Sequence, residues 1–362
     1  MEFPDIFTFN KRMNEGINRL LENILKENLR SPSQVSFLLK TIASQRKAAR
    51  RREEYENQGL HIPAFMIASI THRCNLRCAG CYAHAQHRNS SGEIAFERLK
   101  TMVGEARELG ISFILLAGGE PLVRKHEIMD IANSYSDIIF PVFTNGLMID
   151  DELVKNLRSL KNIVPVISIE GLEEDTDHRR GDGVYKKLKT LFKNLQEYRI
   201  FYGCAITVTS SNLNTVTNQQ FIRELLRDRC KLFFFIEYVP VEAGTEHLIL
   251  SDDQKQLLME RLDILKDTLP ASFIAFPGDE QYFGGCIASG RGFVHISPDG
   301  SVEPCPFAPF SDSNLRDKTL KECLESDYLK RIRENHELLV ENQGGCALWE
   351  NRELIKSYLA KG

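Results

Sequence analysis

The sequence predicts an α/β protein whose main body is a (β/α)6 barrel or partial barrel, and three observations carry that prediction. Six short apolar runs recur between residues 65 and 239, rich in β-branched and aromatic residues. Windows of helical period lie between them, which makes the runs strands buried on both faces of a parallel sheet with helical crossovers. The first five runs each lead straight into a polar, glycine-rich or thiol-bearing segment, so these ends converge on one rim, where such sheets place their ligands.

In chain order, residues 1–62 read as a helical segment. Ile17, Leu20, Leu21, Ile24 and Leu25 recur at helical spacing, and Pro32 interrupts before a second set, Val35, Leu38, Leu39 and Ile42. The charged run Gln45 to Glu54 continues this helix as a solvated face rather than a nucleic-acid contact. Residues 63–275 hold the barrel strands, at Phe65–Thr71, Ile111–Ala117, Ile138–Thr144, Ile163–Ile169, Phe201–Thr209 and Leu232–Val239. Helical windows follow at Ala95–Leu109, Asp150–Leu160, Tyr185–Tyr198 and Thr217–Arg229, with a further helix from about Ser251 to Leu269. Residues 276–362 change character: Gly284-Gly285-Cys286, Pro304-Cys305-Pro306 and Gly344-Gly345-Cys346 make the segment Gly-, Pro- and Cys-rich. Asp299-Gly300 between Phe293–Ile296 and Ser301-Val302 signals a β-hairpin, and Leu320 to Asn335 a helix.

Composition narrows the function. With 46 basic against 50 acidic residues the chain is too balanced for a nucleic-acid surface, no apolar run approaches a membrane span, and the start of the sequence lacks a secretory signal. A cytoplasmic location follows. Nine cysteines, an odd number with Cys74, Cys78 and Cys81 packed into eight residues, argue for metal ligation in a reducing compartment over a disulfide framework. Spacing alone leaves two readings open. A structural zinc site takes four ligands, which His72, His84 or His87 would have to complete, whereas a three-thiolate iron–sulfur cubane leaves one iron free.

The C-x3-C-x2-C spacing after the first strand, followed by Gly118-Gly119-Glu120-Pro121 after the second, resembles the radical S-adenosylmethionine (radical SAM) superfamily, whose fold is a partial TIM-like barrel. Ser168-Ile-Glu-Gly171 with His178-Arg-Arg-Gly181 resembles the branch that carries a carboxy-terminal auxiliary-cluster domain. Cys286, Gly300, Cys305 and the distant Cys346 are similar to the first-cluster ligands of SPASM and Twitch domains. The cysteine-dense run for a second auxiliary cluster is missing, so the resemblance is to the shorter Twitch type. Cys323, Cys204 and Cys230 read as packing residues.

The resemblance implies that Cys74, Cys78 and Cys81 hold a [4Fe–4S] cluster whose open iron chelates S-adenosylmethionine. Reductive cleavage then yields a 5′-deoxyadenosyl radical, which abstracts hydrogen from a substrate C–H bond. It also implies that Cys286, Cys305 and Cys346 hold an auxiliary cluster. Gly118 and Gly119 would approach the cofactor through bare backbone, and Glu120 would accept from the methionine ammonium. Ser168 and Glu170 would meet ribose hydroxyls, Arg180 the methionine carboxylate, and Asn145 and Asn212 are polar candidates on the same rim. Family members often carry an aromatic residue just before the third cysteine, near the adenine; this chain has Gly80 there and Tyr82 on the other side. The expected activity is modification of a peptide or protein, with small-metabolite or cofactor biosynthesis as the alternative and a flavodoxin- or ferredoxin-type protein as electron donor. A non-catalytic iron–sulfur carrier or a zinc-binding module is the remote rival, and neither needs the Gly-Gly-Glu-Pro element.

Overall fold

The computed structural model describes residues 3–27, 32–87, 92–276, 279–340 and 346–361. Gly344 and Gly345, part of the third Gly- and Cys-bearing motif, lie outside them. The described chain is organised on one nine-stranded sheet that curls into a half-barrel. Its strands are β1 (Phe65–Ser69), β2 (Phe113–Ala117), β3 (Phe140–Thr144), β4 (Ile163–Ser168), β5 (Gly203–Val208), β6 (Leu232–Glu237), β7 (Ser272–Phe276), β8 (Phe293–Ile296) and β9 (Val302–Glu303). Their spatial order is β7-β6-β5-β4-β3-β2-β1-β8-β9, parallel throughout except for the β8–β9 hairpin. All six barrel strands read from the sequence are present.

Helices cover the convex face, among them Phe96–Leu109, Lys125–Ser134, Asp151–Ser159, Val184–Glu197, Gln219–Arg227 and Asp252–Thr268. Their starts are chemically fixed. Asp150 accepts from Leu153 N at 2.8 Å, and Ser251 forms a reciprocal capping box with Gln254. The side-chain period of two splits each strand between two cores. Ile163 and Ile167 of β4 face the helices in the large core, while Val164 and Val166 join Ala205, Leu232 and Phe234 in a smaller cluster on the inner face.

Two expectations are revised. The charged run in α2 (Pro32–Glu56) is not a uniformly solvated face. Gln45 and Arg52 are buried: Gln45 accepts from Ser112 Oγ at 2.5 Å, and the Arg52 guanidinium donates to the Gly110 carbonyl and to Asn14. Together with α1 (Ile6–Glu27), α2 thereby braces the lower end of the half-barrel, where the strands begin. The helix read over Leu320 to Asn335 is two, Leu320–Leu324 and Asp327–Arg333, because Ser326 caps the second by accepting from Leu329 N at 3.1 Å.

Strand β7 went unread in the sequence, and the hairpin at residues 293–303 does not stand apart. β8 pairs in parallel with β1, Phe65 opposite Phe293, so the sheet runs on past residue 275. Cys204, Cys230 and Cys323 are wholly buried in the core, as packing residues should be. No helix among the described residues is long and apolar enough to cross a membrane.

A cysteine-lined candidate active site

The carboxyl ends of the strands open on a cavity of about 300 Å³. Six of the nine cysteines line it: Cys74, Cys78 and Cys81 from the loop after β1, Cys286 and Cys305 from either side of the hairpin, and Cys346 from the start of the helix Ala347–Glu350. None is in a disulfide. Among the described residues no three His, Cys, Asp or Glu side chains close up around a single metal ion, so what groups these thiols is the cavity they share.

The first thiol loop is fastened on several sides. At its root, Thr71 Oγ1 and His72 N donate to Glu93 Oε1 at 2.5 and 2.9 Å. Asn145 Nδ2, from the end of β3, donates to Asn75 Oδ1 at 2.7 Å. Ala79 N donates to the Arg179 carbonyl at 2.9 Å and Gly80 N to Glu242 Oε2 at 3.2 Å. His84, considered above as a fourth ligand, instead bonds the Leu76 carbonyl at 3.0 Å. Burial pushes the Cys74 and Cys78 thiols up; at Cys78 the Arg180 guanidinium, 4.0 Å away, pulls the other way.

Gly118 and Gly119 owe their identity to this loop. Gly119 N donates to Thr71 O at 2.7 Å and Glu120 N to Arg73 O at 2.8 Å, so the two backbones run side by side. A Cβ on Gly119 would sit 2.4 Å from Arg73 O, and one on Gly118, which has φ 130°, 2.5 Å from Thr71 O. The close approach is therefore to the thiol loop's own backbone, and both glycines also line the cavity. Glu120 is buried. Its carboxylate accepts from Leu122 N (3.0 Å), Thr144 Oγ1 (2.7 Å) and Asn145 N (2.8 Å), while desolvation still raises its pKa. Pro121 starts the short 3-10 turn that Glu120 caps and lies behind the cavity wall.

Glu170 and Asn212 also stand behind the wall. Burial alone would raise the Glu170 carboxyl, but Arg179 (2.8 Å) and Arg180 outweigh it and hold the group ionised below its usual range. Its other oxygen accepts from Thr207 N at 3.2 Å. With both oxygens committed, Glu170 orients the two arginines and is not among the residues that line the cavity. Asn212 likewise spends its amide on Glu170 O and Thr207 O, both at 2.9 Å, and on Thr209 N at 2.8 Å. Gly118, Gly119, Glu120, Asn145, Ser168, Arg180 and Tyr82 do line the cavity.

Tyr82 packs edge-on against Phe307, ring centroids 5.5 Å apart, and so stands between the two thiol groups. In the second group Cys305 and Cys346 are mutual neighbours whose contact, with burial, holds Cys305 protonated. Cys286 N is fixed by Leu339 O at 2.8 Å. A buried line of hydrogen bonds joins the supporting strands: Ser69 Oγ to His295 Nε2 at 2.8 Å and His295 Nδ1 to Glu303 Oε2 at 2.7 Å.

Several site residues were not read from the sequence. Arg179 reaches both Glu170 and the Ala79 carbonyl. Tyr238, just past β6, fills the space that Gly80 leaves open: a Cβ there would lie 2.3 Å from the Tyr238 hydroxyl. The signal for it was the missing aromatic at position 80. Glu237 ends β6 on the cavity wall, and burial raises its carboxyl to about 7 with Lys255 at 3.8 Å as partial counterweight.

A half-barrel whose carboxyl rim carries these thiols defines a class of iron–sulfur enzyme, and comparison with known proteins identifies it. Residues 68–225 match the Radical SAM superfamily, so this part of the chain is a radical SAM domain. Its relatives include the AdoMet-dependent heme synthase of Methanosarcina barkeri, 25% identical over 335 residues, covering 83% of this chain and 93% of the relative. The PqqA peptide cyclase of Bradyrhizobium diazoefficiens is 24% identical over 324 residues, covering 83% and 76%. The fold is that of Streptococcus suis SuiB bound to S-adenosylmethionine, with a TM-score of 0.63 at 18% identity over 78% of this chain and 71% of that one. The chain is thus a radical SAM enzyme, using a [4Fe–4S] cluster and S-adenosylmethionine.

Proposed function

We propose that this enzyme modifies a peptide or protein at a C–H bond, with Cys74, Cys78 and Cys81 holding the S-adenosylmethionine cluster and Cys286, Cys305 and Cys346 an auxiliary cluster in a Twitch-type segment. The observation that carries the reading is the single cavity lined by both cysteine sets. The donor sets fit the groups: each is three disulfide-free thiols lining the one cavity, soft ligands suited to iron–sulfur clusters. When bound, the first cluster supplies the electron that splits the sulfonium of S-adenosylmethionine.

The chain's own residues position the reactants. Arg180, oriented by Glu170, faces the cofactor carboxylate. Asn145 and Ser168 offer polar contacts on the rim, and Tyr238 supplies the aromatic face beside the third cysteine that Gly80 lacks. Glu120 acts at one remove by fixing Thr144 and Asn145. Peptide chemistry is favoured by the PqqA peptide cyclase among the relatives. A second reading, cofactor biosynthesis on a small molecule, is favoured by the heme synthase, which the chain matches over 93% of its length. Electrons would come from a flavodoxin- or ferredoxin-type donor.

Anaerobic reconstitution tests the proposal. About eight irons per chain, with dithionite-dependent release of 5′-deoxyadenosine, is the expected result. Stoichiometric zinc without cleavage of S-adenosylmethionine would overturn it.

A further inference from the structure

The lower end of the half-barrel holds a second cavity, of about 990 Å³, more than three times the volume of the thiol-lined one. It lies between α1 and α2 and the amino ends of the strands. Cavities of about 300–1,000 Å³ are those that enclose small organic ligands. Barrel interiors are ordinarily filled by layers of large side chains. Here the filling is thin: Phe65, Leu115 and Phe276 line both cavities, so they form the partition between them.

The walls are mostly apolar, with Phe37, Phe113, Phe201 and Phe234 among the leucines and isoleucines. The charged residues that line the cavity are of nearly one sign. Arg19, Arg158, Lys161, Arg199 and Lys266 stand against Asp267 alone, in a chain whose overall charge is -4. Arg19, Arg158 and Arg199 are exposed, which puts them at the mouth. An apolar chamber with a cationic mouth selects a ligand with an apolar body and an anionic end.

We propose that this lower cavity is a second ligand site, for a long-chain organic carboxylate whose hydrocarbon lies among the phenylalanines and whose carboxylate meets Arg158 and Arg199 at the mouth. An occupant there rests against Phe65, Leu115 and Phe276, the floor of the thiol cavity. The site goes beyond the function proposed above and needs no iron to be measured.

Titration calorimetry on the full chain, with dodecanoate, 1-dodecanol and dodecyltrimethylammonium below their micelle concentrations, tests this. Dodecanoate is expected to bind saturably at one site, at least tenfold more tightly than the cationic chain of the same length. The double variant R158E/R199E changes only exposed side chains; it is expected to weaken dodecanoate tenfold or more and to leave dodecanol unchanged. Val164→Trp, which fills the chamber, is expected to abolish both. The proposal is overturned by the absence of saturable binding, by equal affinity for the two charged chains, or by dodecanoate binding unchanged in R158E/R199E. Should Val164→Trp fail to fold, the charge-reversal variant decides alone. Because no arm uses clusters or S-adenosylmethionine, a negative result leaves the cleavage assay above intact, and the reverse also holds.

Discussion

Glu237 ends β6 with 7% of its surface exposed, and burial lifts its carboxyl from an ordinary 4.5 to about 7. Between those values the native state binds a proton that the unfolded chain has released, so stability falls as pH rises through that window. The total is on the order of 3 kcal/mol. Glu237→Gln keeps the shape and removes the titration. It is expected to match the wild type in urea unfolding at pH 4 and to exceed it by about that amount at pH 8; identical pH profiles would show that Lys255 neutralises the site fully. At Glu170 the sign is reversed. Its charge compensates Arg179 and Arg180, whose side chains are 14% and 11% exposed. Glu170→Gln is expected to lose about 3–5 kcal/mol in the same assay, the cost of breaking a buried pair. Position on the rim could be read from the chain for Glu170 and Asn212, but not orientation. Which oxygen meets which donor depends on how Arg179, Arg180 and Thr207, which lie 9, 10 and 37 residues further on, fold back onto Glu170, and that is why neither it nor Asn212 is among the cavity-lining residues.

The Gly-Gly-Glu-Pro turn after β2 and the thiol loop after β1 behave as one element, because their backbones exchange hydrogen bonds at 2.7 and 2.8 Å. Gly119→Ala forces the two apart at Arg73 O. Far-UV circular dichroism should be unchanged while reconstituted iron falls by about four per chain; full iron content would mean that the loop forms without this contact. The β8–β9 hairpin is joined to β1 through His295. His295→Leu strands the buried Ser69 hydroxyl and Glu303 carboxylate, at a cost on the order of 3 kcal/mol, readable in urea. The barrel strands were legible because burial on both faces makes each a continuous apolar run. β7 escaped because it is a five-residue strand against a segment changing to Gly, Pro and Cys. The pairing of β8 with β1 joins residues 65 and 293, and no local pattern encodes a partner at that separation.

At the scale of the whole molecule, the sheet's two directions of growth from β1 bring the two cysteine sets together. β2 to β7 curl away on one side, β8 and β9 add to the other, and Cys286 and Cys305 thereby arrive opposite Cys74, Cys78 and Cys81 across one 300 Å³ cavity. Tyr82 and Phe307 fill the interval between them. The function proposed above gives the two sets separate duties, which replacements in each set can tell apart. Replacing Cys74, Cys78 and Cys81 together with Ala is expected to halve the iron and abolish release of 5′-deoxyadenosine. Cys286→Ala is expected to retain that release at a reduced rate while product formation is lost, because cleavage then proceeds without its partner cluster. Should the triple variant still cleave S-adenosylmethionine at the wild-type rate, the first set would not be the cofactor site. Should Cys286→Ala form product normally, the second set would be structural, and the shared cavity would serve the substrate alone.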